Sequence, residues 1–161
     1  MRRLVAMILL ILVAAACGSK PVGAPSKPSA ACKDSDGPSD DTVRRAVASV
    51  PIAIPGTTWV EIARGHTGNC RLHWVHLIPT IAGESTPQQL IFFDHNTPLG
   101  EPTPNPKPYI TVLTPSDDTV TVQYRWRVGD DEPCCPSGHG TVGFQIGPNG
   151  KLRALGKIPN P

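Results

Sequence analysis

Proline and glycine recur along the whole chain, and their number limits what it can fold into. The sequence holds 19 prolines and 15 glycines, which together make about a fifth of its 161 residues. Proline interrupts the interior of helices and of central strands because its ring removes a backbone N–H donor. A long helical bundle or a coiled coil is therefore excluded, and short elements joined by turns are expected. The length suits one domain.

The charge balance argues against a protein that binds nucleic acid by electrostatic attraction. Lysines and arginines number 15 against 13 aspartates and glutamates, which gives a net charge of +2. No basic cluster accompanies this small excess, and such a cluster is the footprint of a nucleic-acid partner. Arg2 and Arg3 supply the whole excess, so a chain without them is neutral. No nucleic-acid partner is predicted.

Residues 1–16 have the pattern of a bacterial export signal. Two arginines are followed by an uncharged run, Leu4 to Ala16, which is too short to span ~30 Å of hydrocarbon but fits the apolar core of a signal peptide. The sequence Val13 to Cys17 resembles the bacterial lipobox, in which the cysteine receives lipid and becomes the new N-terminus. We therefore predict a signal peptide over residues 1–16. We also predict a lipid on Cys17 that holds the protein on the extracytoplasmic side of the cell membrane.

Composition divides the remaining chain into a tether and a domain. Residues 17–38 contain the predicted lipidated cysteine and a stretch rich in small residues, proline and lysine without apolar periodicity, which predicts a flexible, solvated tether. Residues 39–161 carry the periodic patterns and are predicted to form a single globular domain. In Ser39 to Val50, a serine suited to the N-cap precedes apolar residues at three- and four-residue spacing, which predicts a helix.

After Pro55 the apolar period changes to two, which predicts strands. Apolar residues occupy both faces of Arg71–Ile78, which indicates a central strand, whereas Thr119–Val128 alternates strictly between one buried and one solvated face. Asn149 and Gly150 predict a two-residue turn. The predicted strands are Thr58–Arg64, Arg71–Ile78, Gln89–Asp94, Tyr109–Leu113, Thr119–Val128, Thr141–Ile146 and Lys151–Leu155, with Thr97–Pro108 as a long irregular loop.

These patterns predict an α+β fold. One short N-terminal helix packs on a meandering, mainly antiparallel sheet of six or seven strands, and disulfides brace the domain.

Six segments of the chain share the pattern of one protein family. They are Cys70–Val75, Leu90–Asp94, Leu99–Gly100, Pro108–Val112, Asp118–Trp126 and Asp131–Ile146. Together they resemble the LppP/LprE family of actinobacterial, largely mycobacterial, lipoproteins. The Cys-Cys-Pro-Ser-Gly run is the most distinctive match, and Gly143 departs from the larger, often basic, residue expected at its position. The resemblance implies an envelope lipoprotein with a domain of unknown function, and it brings no established reaction, cofactor or catalytic residue.

Four cysteines remain besides the predicted lipid site, and an even number in an exported chain indicates two disulfides. A bond between the adjacent Cys134 and Cys135 would close a strained ring, and neighbouring side chains point in different directions. We therefore predict that Cys32 and Cys70 each bond to one of this pair, in an order that the sequence leaves open.

The sequence disfavours three more specific roles for its cysteine, histidine and serine residues: a metal site, a catalytic nucleophile and a redox dithiol. Cys70, His73 and His76 are spaced by three residues, but the two histidines would face opposite sides of a strand. Ser137 lies in a turn sequence without a Gly-x-Ser-x-Gly elbow, and His139 follows it between two glycines. The adjacent cysteines lack the two intervening residues of a Cys-x-x-Cys motif. No metal ion, cofactor or catalytic residue is predicted.

Aromatic and basic side chains are the candidate ligand contacts. Two tryptophans suit a groove for glycan or lipid, and two arginines on the solvated face of one strand suit an anionic envelope component. Core packing and a solvated sheet face are the simpler interpretations. The candidate contacts are Trp59, Trp74, Arg125, Arg127 and His139.

The sequence therefore predicts a lipid-anchored, non-enzymatic binding or accessory module of the cell envelope. Its partners are the membrane, through the lipid, and an envelope lipid, glycan or protein. Two alternatives belong to other classes. A carrier of a lipidic molecule needs an apolar cavity of at least ~300 Å³. A hydrolase of envelope lipid or glycan needs His73 or His139 gathered with an acid and Ser137 within hydrogen-bonding distance.

Overall fold

The computed structural model describes residues 31–159, which contain one α-helix and eight strands in two four-stranded antiparallel sheets. The predicted signal peptide of residues 1–16, the predicted lipid on Cys17 and the first part of the predicted tether lie outside the described residues. Within residues 31–159, no helix has the length and apolar character needed to cross a membrane.

Helix α1, Asp40–Ser49, forms where the periodic pattern predicts it. The Ser39 hydroxyl accepts a hydrogen bond from the Thr42 backbone N–H at 3.3 Å, so a serine N-cap satisfies one of the free donors of the first turn. Two aspartates in that turn interact favourably with the helix dipole. Val50 leaves the helical conformation and Pro51 follows it, so the helix ends there. A single 3₁₀ turn, Asp34–Asp36, precedes the helix.

The first sheet contains the four strands that follow the helix. They are β1 (Trp59–His66), β2 (Leu72–Pro79), β3 (Gln89–Asp94) and β4 (Thr97–Gly100), in the order β1-β2-β3-β4. Strand β4 corrects the prediction that Thr97–Pro108 is irregular throughout. His95, with φ 51°, makes a tight turn that returns the chain onto β3, and the edge position of β4 tolerates Pro98.

The second sheet contains the four strands that follow β4. Its strands are β5 (Ile110–Val112), β6 (Val120–Trp126), β7 (Gly138–Ile146) and β8 (Leu152–Ala154), in the order β5-β6-β7-β8. The last hairpin turns at Asn149 and Gly150, and Gly150 takes φ 72°, which glycine adopts without strain. Strand β7 begins earlier than predicted because Gly138 pairs with Trp126.

The α+β class is confirmed in outline, but the single sheet of six or seven strands is wrong. The central strands β2 and β3 bury both faces, so the first sheet is the middle of three layers. One face packs on the second sheet through Leu72, Leu90, Phe92, Val122, Tyr124 and Phe144. The other face packs on α1 through Val43, Ala46, Val50, Val75, Leu77, Ile91 and Phe93.

The predicted disulfide pairing is also wrong. Cys32 bonds to Cys70 with 5.4 Å between their Cα atoms, and Cys134 bonds to Cys135. The Cys70 turn hydrogen-bonds to the β5–β6 turn, where Asn69 N–H donates to the Asp117 oxygen at 2.8 Å. Cys134 and Cys135 follow the opposite end of β6, and a seven-residue strand is about 20 Å long. That separation is too long for a disulfide.

Candidate ligand-binding site

A groove of about 600 Å³ lies where the N-terminal segment crosses the first sheet. One wall is the segment from Cys32 to Asp40, which the Cys32–Cys70 bond joins to the β1–β2 turn. The other wall is formed by Arg64–His66 on β1 and His73–Val75 on β2. The volume falls within the range of small-molecule sites in proteins.

His73 is the buried centre of this region. Its side chain is only 6% exposed, and its Nε2 lies 2.9 Å from the backbone oxygen of Cys70. Gly37 lies directly against the imidazole, because a Cβ at that position would come within 2.9 Å of the ring. The N-terminal segment can therefore reach the sheet here only through a residue without a side chain.

Two further imidazoles flank His73. The ring centroids of His66 and His73 are 5.6 Å apart, and those of His73 and His95 are 6.4 Å apart. Nδ1 of His95 lies 3.0 Å from the backbone oxygen of Asp36, which joins the third ring to the 3₁₀ turn. Burial lowers the pKa of His73, and charge on either flanking imidazole lowers it further, so His73 is neutral at pH 7.

Charged side chains form the rim of the groove. Arg64 donates from Nη2 to Glu61 at 2.8 Å and from Nη1 to Asp40, in the first turn of α1, at 3.3 Å. The hydrogen bond to Glu61 is the main reason that the pKa of Arg64 is raised. Beside the groove, Arg71 donates to both carboxylate oxygens of Asp94 at 3.0 and 2.8 Å, and this contact lowers the pKa of Asp94.

The groove offers hydrogen-bond donors and acceptors rather than an assembled nucleophile. Ser39 lines it, but its hydroxyl is engaged at the N-terminus of α1, where it donates to Thr42 Oγ1 at 3.0 Å. In the part of the chain that the structure describes, no three His, Cys, Asp or Glu side chains are placed to hold a metal ion. Imidazole, guanidinium and carboxylate groups around an open hollow suit recognition of a polar molecule.

The structure does not gather the five candidate ligand contacts in one site. Trp74 lines the groove, with its indole lying over Gly65 of the paired strand. Trp59 packs against the helix-side core, and its Nε1 donates to the Pro51 oxygen at 3.0 Å. The remaining three do not line this groove. Arg125 on β6 pairs with His139 on β7, and Arg127 follows the end of β6.

The sequence suggested that Arg125 and Arg127 form a basic strip. In the structure, both side chains hydrogen-bond to the backbone of a loop. Arg125 donates from Nη2 to the Pro136 oxygen at 2.5 Å, and Arg127 donates from Nε to the Asp131 oxygen at 2.7 Å. Both acceptors belong to the β6–β7 connection. His139 begins the return strand, with Nδ1 3.2 Å from the backbone oxygen of Ser137.

The Ser137 hydroxyl does not pair with an imidazole. It donates to the Asp131 carboxylate at 2.8 Å, and the Ser137 N–H donates to the same oxygen at 2.7 Å. These hydrogen bonds, together with that from Val128 N–H, lower the pKa of Asp131. The serine therefore closes a turn here. His73, the other histidine considered for catalysis, lies in the groove on the first sheet.

Sequence reasoning missed His66, Arg64 and Gly37 as groove residues. A usable signal existed for the first, because His66 and His73 stand at equal distances on either side of the turn at Asn69 and Cys70 and face each other in the antiparallel register. Gly37 carried no such signal, since its partner on β2 is distant in sequence.

The same chain matches a known family over most of its folded part. A family model described as LppP/LprE lipoprotein matches residues 64–149. The chain belongs to the LppP/LprE lipoprotein family. It is 65% identical over 149 residues to proteins named LppP in Mycobacterium bovis and Mycobacterium tuberculosis, covering 92% of this chain and 85% of theirs. No solved structure matches the chain significantly.

Membership in the LppP/LprE family confirms the resemblance carried by the six sequence segments. A lipoprotein family implies an exported, lipid-anchored protein of the cell envelope. The family description names no reaction, substrate or cofactor, so the activity has to be argued from the site.

Proposed function

We propose that this protein is a non-enzymatic binding module, held by a lipid on Cys17 on the extracytoplasmic side of the membrane. Membership in a lipoprotein family supports the anchor. The observation that carries the binding role is the groove of about 600 Å³ lined by Arg64, His66 and His73. A cleft of this size with a few convergent polar groups and a perturbed imidazole is the usual form of a ligand site.

A lipid on Cys17 would keep this groove close to the membrane. Cys32 lines the groove and is bonded to the sheet through Cys70, so the tether joins the folded part there. The chain between Cys17 and Cys32 reaches at most about 50 Å when fully extended. The groove therefore stays near the membrane surface, among components of the inner envelope.

The chemistry of the groove favours a hydrophilic ligand, such as a glycan or the polar headgroup of an envelope lipid. Its lining includes the guanidinium of Arg64, the carboxylate of Asp40 and the imidazoles of His66 and His73, groups that donate to or accept from hydroxyl groups. A carrier of acyl chains is less well supported. A hollow of about 650 Å³ between Leu99 and Leu152 has a lining that is as polar as it is apolar. Two hollows beside Pro159 with mainly apolar linings measure about 270 and 180 Å³. These volumes are below the ~300 Å³ that a drug-sized ligand occupies.

Native mass spectrometry of the protein recovered from its own envelope tests this function. The non-lipidated Cys17→Ala chain is expected to carry a bound glycan or headgroup mass. The double variant Arg64→Ala, His66→Ala is expected to lose that mass. Arg153→Ala, an exposed position on β8, is the matched control and is expected to keep it. A bound mass unaffected by the groove variant, or a fatty acid alone, would contradict the proposal, as would recovery of the intact chain without any bound molecule.

A further inference from the structure

The β6–β7 connection carries the second disulfide, on the sheet that does not form the groove. We propose that Cys134–Cys135 is a redox-active disulfide that exchanges with extracytoplasmic dithiols, while Cys32–Cys70 is the structural bond. The two bonds differ in what they connect, in how accessible they are, and in what holds their surroundings.

The adjacent pair contributes almost nothing to stability by cross-linking. A disulfide stabilises a fold mainly by restricting the unfolded chain, and the effect grows with the length of the loop that it closes. Cys32 and Cys70 are separated by 38 residues, whereas Cys134 and Cys135 are neighbours. A bond between neighbours leaves the unfolded chain nearly as free as before, so structural bracing does not account for it.

Access also distinguishes the two bonds. Cys134 and Cys135 are both exposed, and an attacking thiolate must reach a disulfide sulfur for exchange to occur. Cys32 and Cys70 are only partly exposed, and the Cys32 sulfur lies 3.9 Å from the Thr67 backbone oxygen. Exposed disulfides are generally the labile ones, and buried cross-links are generally the resistant ones.

The loop around the pair is held by hydrogen bonds that do not use sulfur. Before the pair, Tyr109 donates its hydroxyl proton to the Pro133 oxygen at 2.6 Å. After the pair, Arg125 donates to the Pro136 oxygen, and the Asp131 carboxylate accepts from Ser137. These contacts remain when the disulfide opens, so the loop can present the cysteines in both oxidation states.

The backbone of Tyr109 also indicates that the loop around the cysteine pair is conformationally constrained. It takes φ 55°, in the left-handed region that favours glycine, and such strain persists in a non-glycine residue only where surrounding contacts fix it. Its hydroxyl fixes the carbonyl that immediately precedes Cys134.

The exchange is a balanced two-electron transfer from a small or protein dithiol. One donor thiolate attacks a sulfur of the Cys134–Cys135 bond, which breaks and releases the other cysteine as a thiolate. The second donor thiolate attacks the mixed disulfide, frees the remaining cysteine and closes the donor's own disulfide. The donor is oxidised by two electrons, the protein disulfide is reduced by two, and the two donor protons end on the cysteines.

A redox titration of the native protein tests the proposal. The protein, purified from the extracytoplasmic compartment, is equilibrated with mixtures of reduced and oxidised dithiothreitol. Free thiols are trapped with iodoacetamide, and the cysteine peptides are weighed by mass spectrometry. Half-reduction of Cys134–Cys135 is expected at a reduced-to-oxidised ratio at least about tenfold lower than that for Cys32–Cys70.

Two variants sharpen this titration. Cys135→Ser leaves Cys134 without its disulfide partner, so Cys134 is expected to be alkylated by iodoacetamide at every ratio of reduced to oxidised dithiothreitol. The paired variant Cys32→Ser, Cys70→Ser is expected to leave the Cys134–Cys135 midpoint unchanged if the protein folds. Reduction of both bonds at the same ratio in the native protein would overturn the proposal. So would recovery of Cys134 or Cys135 bonded to Cys32 or Cys70, or of both as free thiols in the untreated protein.

Discussion

At the scale of single residues, His73 shows how burial and contacts set the chemistry of the groove. Its ring is covered by Gly37, hydrogen-bonds to the backbone of Cys70 and lies between two other imidazoles. A proton on His73 would lose solvation and would repel charge on His66 and His95. The folded state therefore favours the neutral form of the His73 imidazole.

This burial makes the fold sensitive to mild acid. The pKa of His73 is lowered in the folded protein, so below the ordinary value near 6.5 the unfolded chain binds more protons than the folded chain. Burial also lowers the pKa of His76. We expect the free energy of unfolding, measured with urea, to be retained above about pH 7 and to fall as the pH decreases from about 7 to 5.

The groups facing His73 define the controls for this titration. His66 and His95 face it from β1 and from the β3–β4 turn, and Asp94, beside it, keeps its charge in this range because Arg71 lowers its pKa. His73→Gln is expected to reduce the slope with pH, whereas His139→Gln, at an exposed position, is expected to preserve it. An unchanged slope in His73→Gln would show that other groups control the acid sensitivity.

At the scale of elements, the N-terminal segment is joined to the first sheet at two points. The first is the covalent Cys32–Cys70 bond. The second is the close contact of Gly37 with the His73 ring, which leaves no space for a side chain at position 37. We expect Gly37→Ala to lower the free energy of unfolding by about 1–3 kcal/mol, because the added methyl group must displace a buried ring. Urea unfolding measures the effect.

Gly156→Ala is the matched control for this change. Nothing lies within 4 Å of a Cβ placed at Gly156, so the variant is expected to unfold within about 0.5 kcal/mol of the native protein. Equal stability of the Gly37 and Gly156 variants would mean that the segment yields to the methyl group and does not hold His73 in place.

The same elements show what local sequence determines. Helix α1 and strand β3 form where their patterns predict them, because a capped amphipathic helix and a fully apolar strand are specified by neighbouring residues. Strand β4 was missed because its pairing depends on the turn at His95, and the apolar pattern there is interrupted by Pro98.

The division into two sheets depends on contacts between distant segments. Each apolar strand could be recognised by itself, but nothing local tells whether Phe92 packs against Phe144 in a facing sheet or beside it in the same sheet. The disulfide pairing and most of the groove also depend on contacts between segments that are distant in sequence. Cys32, Gly37 and His73 meet only after the N-terminal segment folds across β2.

At the scale of the whole molecule, the two disulfides lie on different sheets and make different kinds of connection. Cys32–Cys70 fixes the N-terminal segment to the sheet that forms the groove, and Cys134–Cys135 lies on the connection between strands of the other sheet. The hydrogen bonds between the β1–β2 and β5–β6 turns join the sheets at the end where Cys70 lies. The groove and the exposed cysteine pair therefore sit at different ends of the molecule, where they can be tested separately.

The lipid anchor is the property of the whole molecule that a single substitution tests. A chain without Arg2 and Arg3, as the predicted signal peptide implies, carries no net charge, so we do not expect electrostatic attraction to anionic lipids to hold it on the membrane. We expect retention to come from acyl chains, each buried methylene contributing about 0.8 kcal/mol. We expect Cys17→Ala to move the protein from the membrane fraction to the soluble extracytoplasmic fraction, measured by fractionation and immunoblotting. Cys32→Ala, which removes the next cysteine in the sequence, is expected to stay with the membrane. Membrane retention of the Cys17 variant after a high-salt wash would show that another part of the chain holds the protein there.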